Sequence, residues 1–101
     1  MGASCIRATV PYLIGMMKLT IVQDQAIQAL VAGAVGAETF DRLFAGIRFD
    51  KIDGTMLYAL ARDEEIASDI EDGYSIYIAA VASRVLKRQV DVVVVMPKVL
   101  Q

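Results

Sequence analysis

The sequence predicts an α+β domain in the order α-α-β-β-α-β, with a three-stranded sheet packed against helices. Three observations point there. Apolar residues recur at helical spacing in three stretches, from Val22 to Ala34, Phe40 to Ile47 and Ile66 to Val85. Between the second and third, two short runs flank Asp53-Gly54, a dipeptide that tolerates positive φ and favours hairpins. Last, Val90–Met96 is a β-branched run stopped by Pro97. A chain of 101 residues has room for one domain. The pattern places it at residues 21–97, between an N-terminal extension (1–20) and a short tail (98–101).

Val10–Met17 is apolar but carries Pro11, so the extension reads as a strand or an extra helical turn covering a sheet edge. It is the natural cover for the sheet face that the helices leave open. Thr20 or Asp24 caps the first helix. Val22, Ala26, Leu30 and Ala34 follow every fourth residue, with Ile27 and Val31 beside them; Gly33 and Gly36 weaken and end the helix. A second helix restarts at Glu38 or Thr39, puts Phe40, Leu43, Phe44 and Ile47 on one face, and stops near Gly46. Ile47 and Phe49 then alternate with Arg48 and Asp50, and the return strand Thr55–Leu60 sets Met56, Tyr58 and Leu60 on one face.

The longest helix opens at Arg62–Glu65 with Asp63 as N-cap. Its stripe is Ile66, Ile70, Tyr74 and Ile78, flanked by Tyr77, Val81 and Val85. Acids from Asp63 to Asp72 crowd its first half, and Arg84, Lys87 and Arg88 close it, the polarity that the helix dipole favours. Gly73 in mid-helix costs about 1 kcal/mol relative to Ala and marks a close contact or a kink. Four consecutive valines in the last strand imply burial on both faces, or one buried face and one at an interface.

Composition removes most chemistry. With no His and one Cys there is no Ser-His-Asp or Cys-His pair, no His-ligated zinc and no disulfide framework. There is no G-x-x-x-x-G-K-[ST] phosphate loop. The chain therefore reads as non-enzymatic, without cofactor or metal. Lys+Arg is 10 and Asp+Glu is 12, a formal charge of −2, so nucleic-acid binding is expected to be weak or absent. The apolar fraction is 56% and the mean hydropathy +0.52. Yet no run approaches the ~20 apolar residues of a spanning helix, and the expectation is a cytoplasmic protein with no membrane span. Met1-Gly2-Ala3-Ser4-Cys5-Ile6 begins like a myristoylation signal but has Ile6 where Ser or Thr is needed. Cys5 reads as a free thiol, and Tyr58, Tyr74 and Tyr77 as core-edge residues with wet hydroxyls. The apolar surplus exceeds what one small core hides and points to an interface. Its candidates are the Phe40/Phe44 face, the Val92–Val95 edge and Val10–Met17, and the expected assembly is a two-fold homodimer.

Three motifs occur in a fixed order. They are Ala37-Glu-Thr-Phe40 followed by Leu43-Phe44 and Ile47, the hairpin Ile52-Asp-Gly-Thr-Met-Leu-Tyr-Ala59, and Ile66-x3-Ile70-x3-Tyr74-x3-Ile78. Together, over about Ala26–Val95, they resemble the N-terminal domain (domain I) of the bacterial replication initiator DnaA. The resemblance implies a K-homology-like fold and a protein–protein interaction module in DNA replication. It implies self-association and docking of the replicative helicase, the initiator itself or a regulator, and no ATPase. It puts the partner surface at Glu38, Thr39, Phe40, Phe44 and Glu65. The chain departs from the family in having no Trp; Asp69 stands at a family Trp position, and Glu65 where an aromatic contacts helicase.

Two alternatives stand beside it. Gly33-Ala-Val-Gly36 falls between the first two helices, where K-homology domains carry a GxxG backbone clamp. With Arg48 and Lys51 it defines a single-stranded nucleic-acid-binding domain, although Ala34 and Val35 replace the basic residues such loops favour. The other is a small homodimeric protein of unknown function.

Overall fold

The computed structural model describes residues 16–98. Strand β1 (Met16–Lys18) precedes helix α1 (Ile21–Val35), and a single helical turn, α2 (Ala37–Thr39), runs into a π-helical turn at Phe40–Phe44. Strands β2 (Arg48–Asp53) and β3 (Met56–Ala61), helix α3 (Glu64–Leu86) and strand β4 (Val92–Pro97) complete the chain. The expected α-α-β-β-α-β order is present from α1 onward.

The sheet, however, is four-stranded and mixed, in the order β1-β2-β3-β4. β1–β2 and β2–β3 are antiparallel and β3–β4 is parallel. The extra strand comes from the N-terminal extension. Met17 pairs with Ile52, and the Leu19 N–H donates to the Asp50 carbonyl at 2.9 Å. Met16–Lys18 is thus a strand at the sheet edge, one of the two forms expected of the extension. Val10–Gly15, expected to help cover the sheet face that the helices leave open, and Cys5 lie outside the described residues.

Thr20 and Gln23 cap α1 reciprocally: the Gln23 N–H donates to Thr20 Oγ1 at 3.1 Å, and the Thr20 N–H to Gln23 Oε1 at 2.9 Å. The buried side of α1 is not the Val22/Leu30 stripe. Ile27 and Val31 are fully enclosed, whereas Val22 is 75% exposed and Leu30 43%. Every-fourth spacing was satisfied by two neighbouring stripes, and the partner elements chose between them. The second helix is likewise shorter than its apolar spacing implied, because the chain widens into the π turn from Phe40.

β2 is bulged. Phe49 pairs with Ala59 and Lys51 with Tyr58, so Asp50 is the extra residue. The bulge resets the alternation and brings both Phe49 and Ile52 to the core side, where they are 1% and 2% exposed. The hairpin loop is Gly54-Thr55, one residue later than the Asp53-Gly54 signal suggested, since Asp53 still pairs with Met56. Gly54 has φ +64, the left-handed conformation that a primed turn requires at its first loop position.

Asp63 caps α3, its Oδ1 accepting from the Ile66 N–H at 2.9 Å. Ile70 and Ile78 are fully buried and Tyr74 half-buried along the expected stripe. A Cβ added at Gly73 would meet nothing within 4 Å, so this glycine marks no close contact. At the far end Ser83 Oγ donates to the Ala79 carbonyl at 2.8 Å and accepts from the Val90 N–H at 3.1 Å, which turns the chain into β4. Helices α1 and α3 pack on each other and on one face of the sheet, burying Leu57, Ala59, Val93 and Val95 from the strands. β4 therefore has one buried face and one open face among the described residues, and is not buried on both faces. Among the described residues no helix is long and apolar enough to cross a membrane.

Candidate functional site: the open face of the sheet

Side chains alternate along a strand, so the face opposite the helices follows from the register. Three cross-strand rows build it. Met16, Asp53, Met56 and Val92 form the row at the hairpin end; Lys18, Lys51, Tyr58 and Val94 form the middle row; Arg48, Leu60 and Met96 form the third. The β3–β4 half of this face is wholly apolar apart from the Tyr58 hydroxyl. Val92 is 45% exposed and Met96 38%, and Met56, Tyr58, Leu60 and Val94 are half-buried by their neighbours in the sheet. Among the described residues no helix lies over it.

The β1–β2 half is charged but nearly balanced. Lys18 pairs with Asp50 at 3.7 Å. The Lys51 ammonium sits 5.1 Å from the Tyr58 ring centroid, a cation–π contact that lays its stem along the apolar half. Arg48 and Asp53 occupy opposite ends of β2.

The free edge of β4 is blunted. Val92 and Lys98 donate their N–H groups to β3-side carbonyls, so Val93, Val95 and Pro97 face away from the ladder. The Val95 N–H is taken by Glu71 Oε2 at 2.9 Å, and Pro97 has no N–H to offer. Beside Val93 an open groove of about 340 Å³ lies between Ser75, Ile76 and Ala79 of α3 and residues Val90–Val93. A carboxylate and a proline at adjacent outward positions are what proteins place on an edge to prevent strand addition.

Of the residues expected to bind a partner, Phe44 is not at the surface. Phe44 is fully enclosed, stacked on Phe40 at 5.7 Å and meeting the Tyr74 ring edge-on at 5.4 Å. It is a core residue and is not available to a partner. Phe40 and Thr39 are half-buried, and Glu38 and Glu65 are exposed. Glu65 lies in the first turn of α3, about 13 Å along the helix from Tyr74 at 1.5 Å per residue.

The nucleic-acid set is dispersed. Gly33 belongs to the last turns of α1, and only Gly36, with φ +94, lies beyond the helix, so Gly33–Gly36 is not a loop. Gln28 Nε2 touches the Ile47 carbonyl next to Arg48, and Gly36 is eight residues further on, about 12 Å along the axis. Arg48 and Lys51 belong instead to the open sheet face. Among the described residues no group of three or more His, Cys, Asp or Glu is placed to hold a metal ion.

Two features escaped the sequence reading. Asp24 does not cap α1. Its Oδ1 accepts from the Phe49 N–H at 2.7 Å and from Gln28 Nε2 at 3.1 Å, while Gln28 Nε2 also donates to the Ile47 carbonyl at 3.0 Å. This anchors α1 to the start of the bulged strand across 25 positions of sequence, and no local pattern signals it. The other is the partnership of Met56, Tyr58 and Leu60 with the outward valines of β4, which depends on the parallel register. No protein-family model, curated protein or solved structure matches the chain.

Proposed function

We propose that the chain is a non-catalytic protein–protein interaction module that docks its partner on the open face of the sheet. One observation carries this reading. Met56, Tyr58, Leu60, Val92, Val94 and Met96 make a contiguous apolar surface across two adjacent strands with no described element over it. In a small domain such a surface is the usual mark of a binding site. The finer reading, a K-homology-like domain docking a helicase, initiator or regulator in DNA replication, rests on the sequence motifs and on the α-α-β-β-α-β order. In it Glu38, Thr39 and Glu65 supply a second, helical contact surface.

The test is affinity capture from the native cell with the wild-type chain, Leu60→Lys and the double variant Thr39→Lys/Glu65→Lys, each checked for folding by circular dichroism. Partners lost with Leu60→Lys and kept with the double variant support the sheet face. The reverse pattern moves the site to the helical surface, and identical capture by all three overturns both.

A further inference from the structure

We infer that the occupant of the open face is a second copy of this chain, stacked face to face about a two-fold axis perpendicular to the strands. The inference rests on the sheet face being the docking surface and names what docks there. An axis through the Lys51–Tyr58–Val94 row reverses strand direction, so each strand lies over its own copy and the hairpin-end row faces the third row. Met56 then meets Leu60 of the partner subunit, Val92 meets Met96 of the partner subunit, and Tyr58 and Val94 meet their own copies near the axis. The same operation sets Arg48 over Asp53 of the partner subunit, and symmetry makes that ion pair twice. The face is self-complementary in both apolar rows and in the charges at the ends of β2.

Other features of the face agree. Its charges nearly cancel, Lys18, Arg48 and Lys51 against Asp50 and Asp53, so two copies bring little net charge together. Lys18 and Lys51 both lie in the row on the axis and face their own copies; Lys18 is paired with Asp50 at 3.7 Å, and Lys51 leans over its own Tyr58 ring. The other common route to a two-fold pair, joining sheets edge to edge, is obstructed at β4 by Glu71 and Pro97. Two sheets stacked this way lie about 10 Å apart and cross at roughly −30°. Three rows over four strands span roughly 20 Å by 20 Å. That is about half of the ~800 Å² per partner of a standard interface, which puts the pair among weak, transient contacts.

Sedimentation velocity from about 10 µM to about 1 mM reads this directly. The wild-type chain is expected to shift from 11.0 kDa toward twice that mass. Leu60→Lys is expected to remain monomeric. Asp53→Arg and Arg48→Asp each weaken association roughly tenfold, and the double swap Asp53→Arg/Arg48→Asp restores it to within about threefold. Circular dichroism confirms that each variant is folded. A wild-type monomer at the highest concentration overturns the inference, as does a dimer indifferent to Leu60→Lys or single swaps without effect. If the chain stays monomeric while capture from the cell still depends on Leu60, the docking surface stands and only the identity of its occupant fails.

Discussion

Replacing Asp24 with Ala tests how the fold holds the bulged strand in place. The carboxylate accepts one backbone N–H, that of Phe49 at 2.7 Å, and one side-chain N–H, that of Gln28 at 3.1 Å. A hydrogen bond to a charged group contributes about 1.5–3 kcal/mol. Phe49 is 1% exposed, so its N–H loses its partner with little access to water, which costs about 1–3 kcal/mol by itself. These figures describe overlapping parts of one loss, and the net expectation is about 2–4 kcal/mol. Asp24→Asn keeps an acceptor oxygen and loses the charge, so it should cost about half as much. Urea unfolding gives both values, with an unchanged slope showing that the folded and unfolded states are otherwise the same. At about 4–8 °C per kcal/mol for a domain of this size, Asp24→Ala lowers the melting temperature by roughly 8–32 °C. A loss below about 0.5 kcal/mol, typical of an ordinary surface site, would refute the view that this carboxylate ties α1 to β2.

Further expectations concern the core, the helix and the edge. Phe44→Ala removes a fully enclosed ring that touches Phe40 and Tyr74 and should cost about 3–5 kcal/mol in urea unfolding; a variant of unchanged stability would return Phe44 to the surface. Gly73→Ala, at an exposed helical site with open space around the missing Cβ, should stabilise by roughly 0.5–1 kcal/mol, and a loss of stability by thermal melting would show a contact or kink there. Glu71→Ala frees the Val95 N–H on the outer edge of β4 and should raise strand-mediated aggregation. Light scattering and thioflavin fluorescence at high concentration check this, and behaviour identical to the wild type would mean that the carboxylate does not guard the edge.

Local signals revealed most elements, and long-range pairing decided what those signals left open. The Asp63 cap, the Ile70/Ile78 stripe and the valine strand were legible because each is written in adjacent or helically spaced residues. The side of α1 that is buried was not, because Val22/Leu30 and Ile27/Val31 satisfy the same period and only α3 and the sheet distinguish them. The bulge at Asp50 was invisible for a similar reason. Phe49 and Ile52 break strict alternation, and the break makes sense only against Ala59 and Tyr58 on the opposite strand. β1 is three residues long, too short for a period to appear. The proposed site was half legible: Met56, Tyr58 and Leu60 were seen to share a face, but β4 joins them only through a parallel pairing across α3. Phe40 and Phe44 drew attention as an apolar pair, and spacing alone does not separate an aromatic that anchors a core from one that meets a partner.

The most direct test of the open face is methyl NMR with a soluble gadolinium chelate, recorded on dilute and on concentrated protein. In dilute protein the methyl groups of Met56, Leu60, Val92, Val94 and Met96 should relax well ahead of those of the enclosed Ile27 and Val31, with Ile21 and Val22, which are 72% and 75% exposed, relaxing fastest. On concentration the sheet-face methyls should become protected while Ile21 and Val22 stay exposed. Protection of the sheet face already in dilute protein, or protection appearing at Ile21, Val22 and Ile76 instead, would contradict the account.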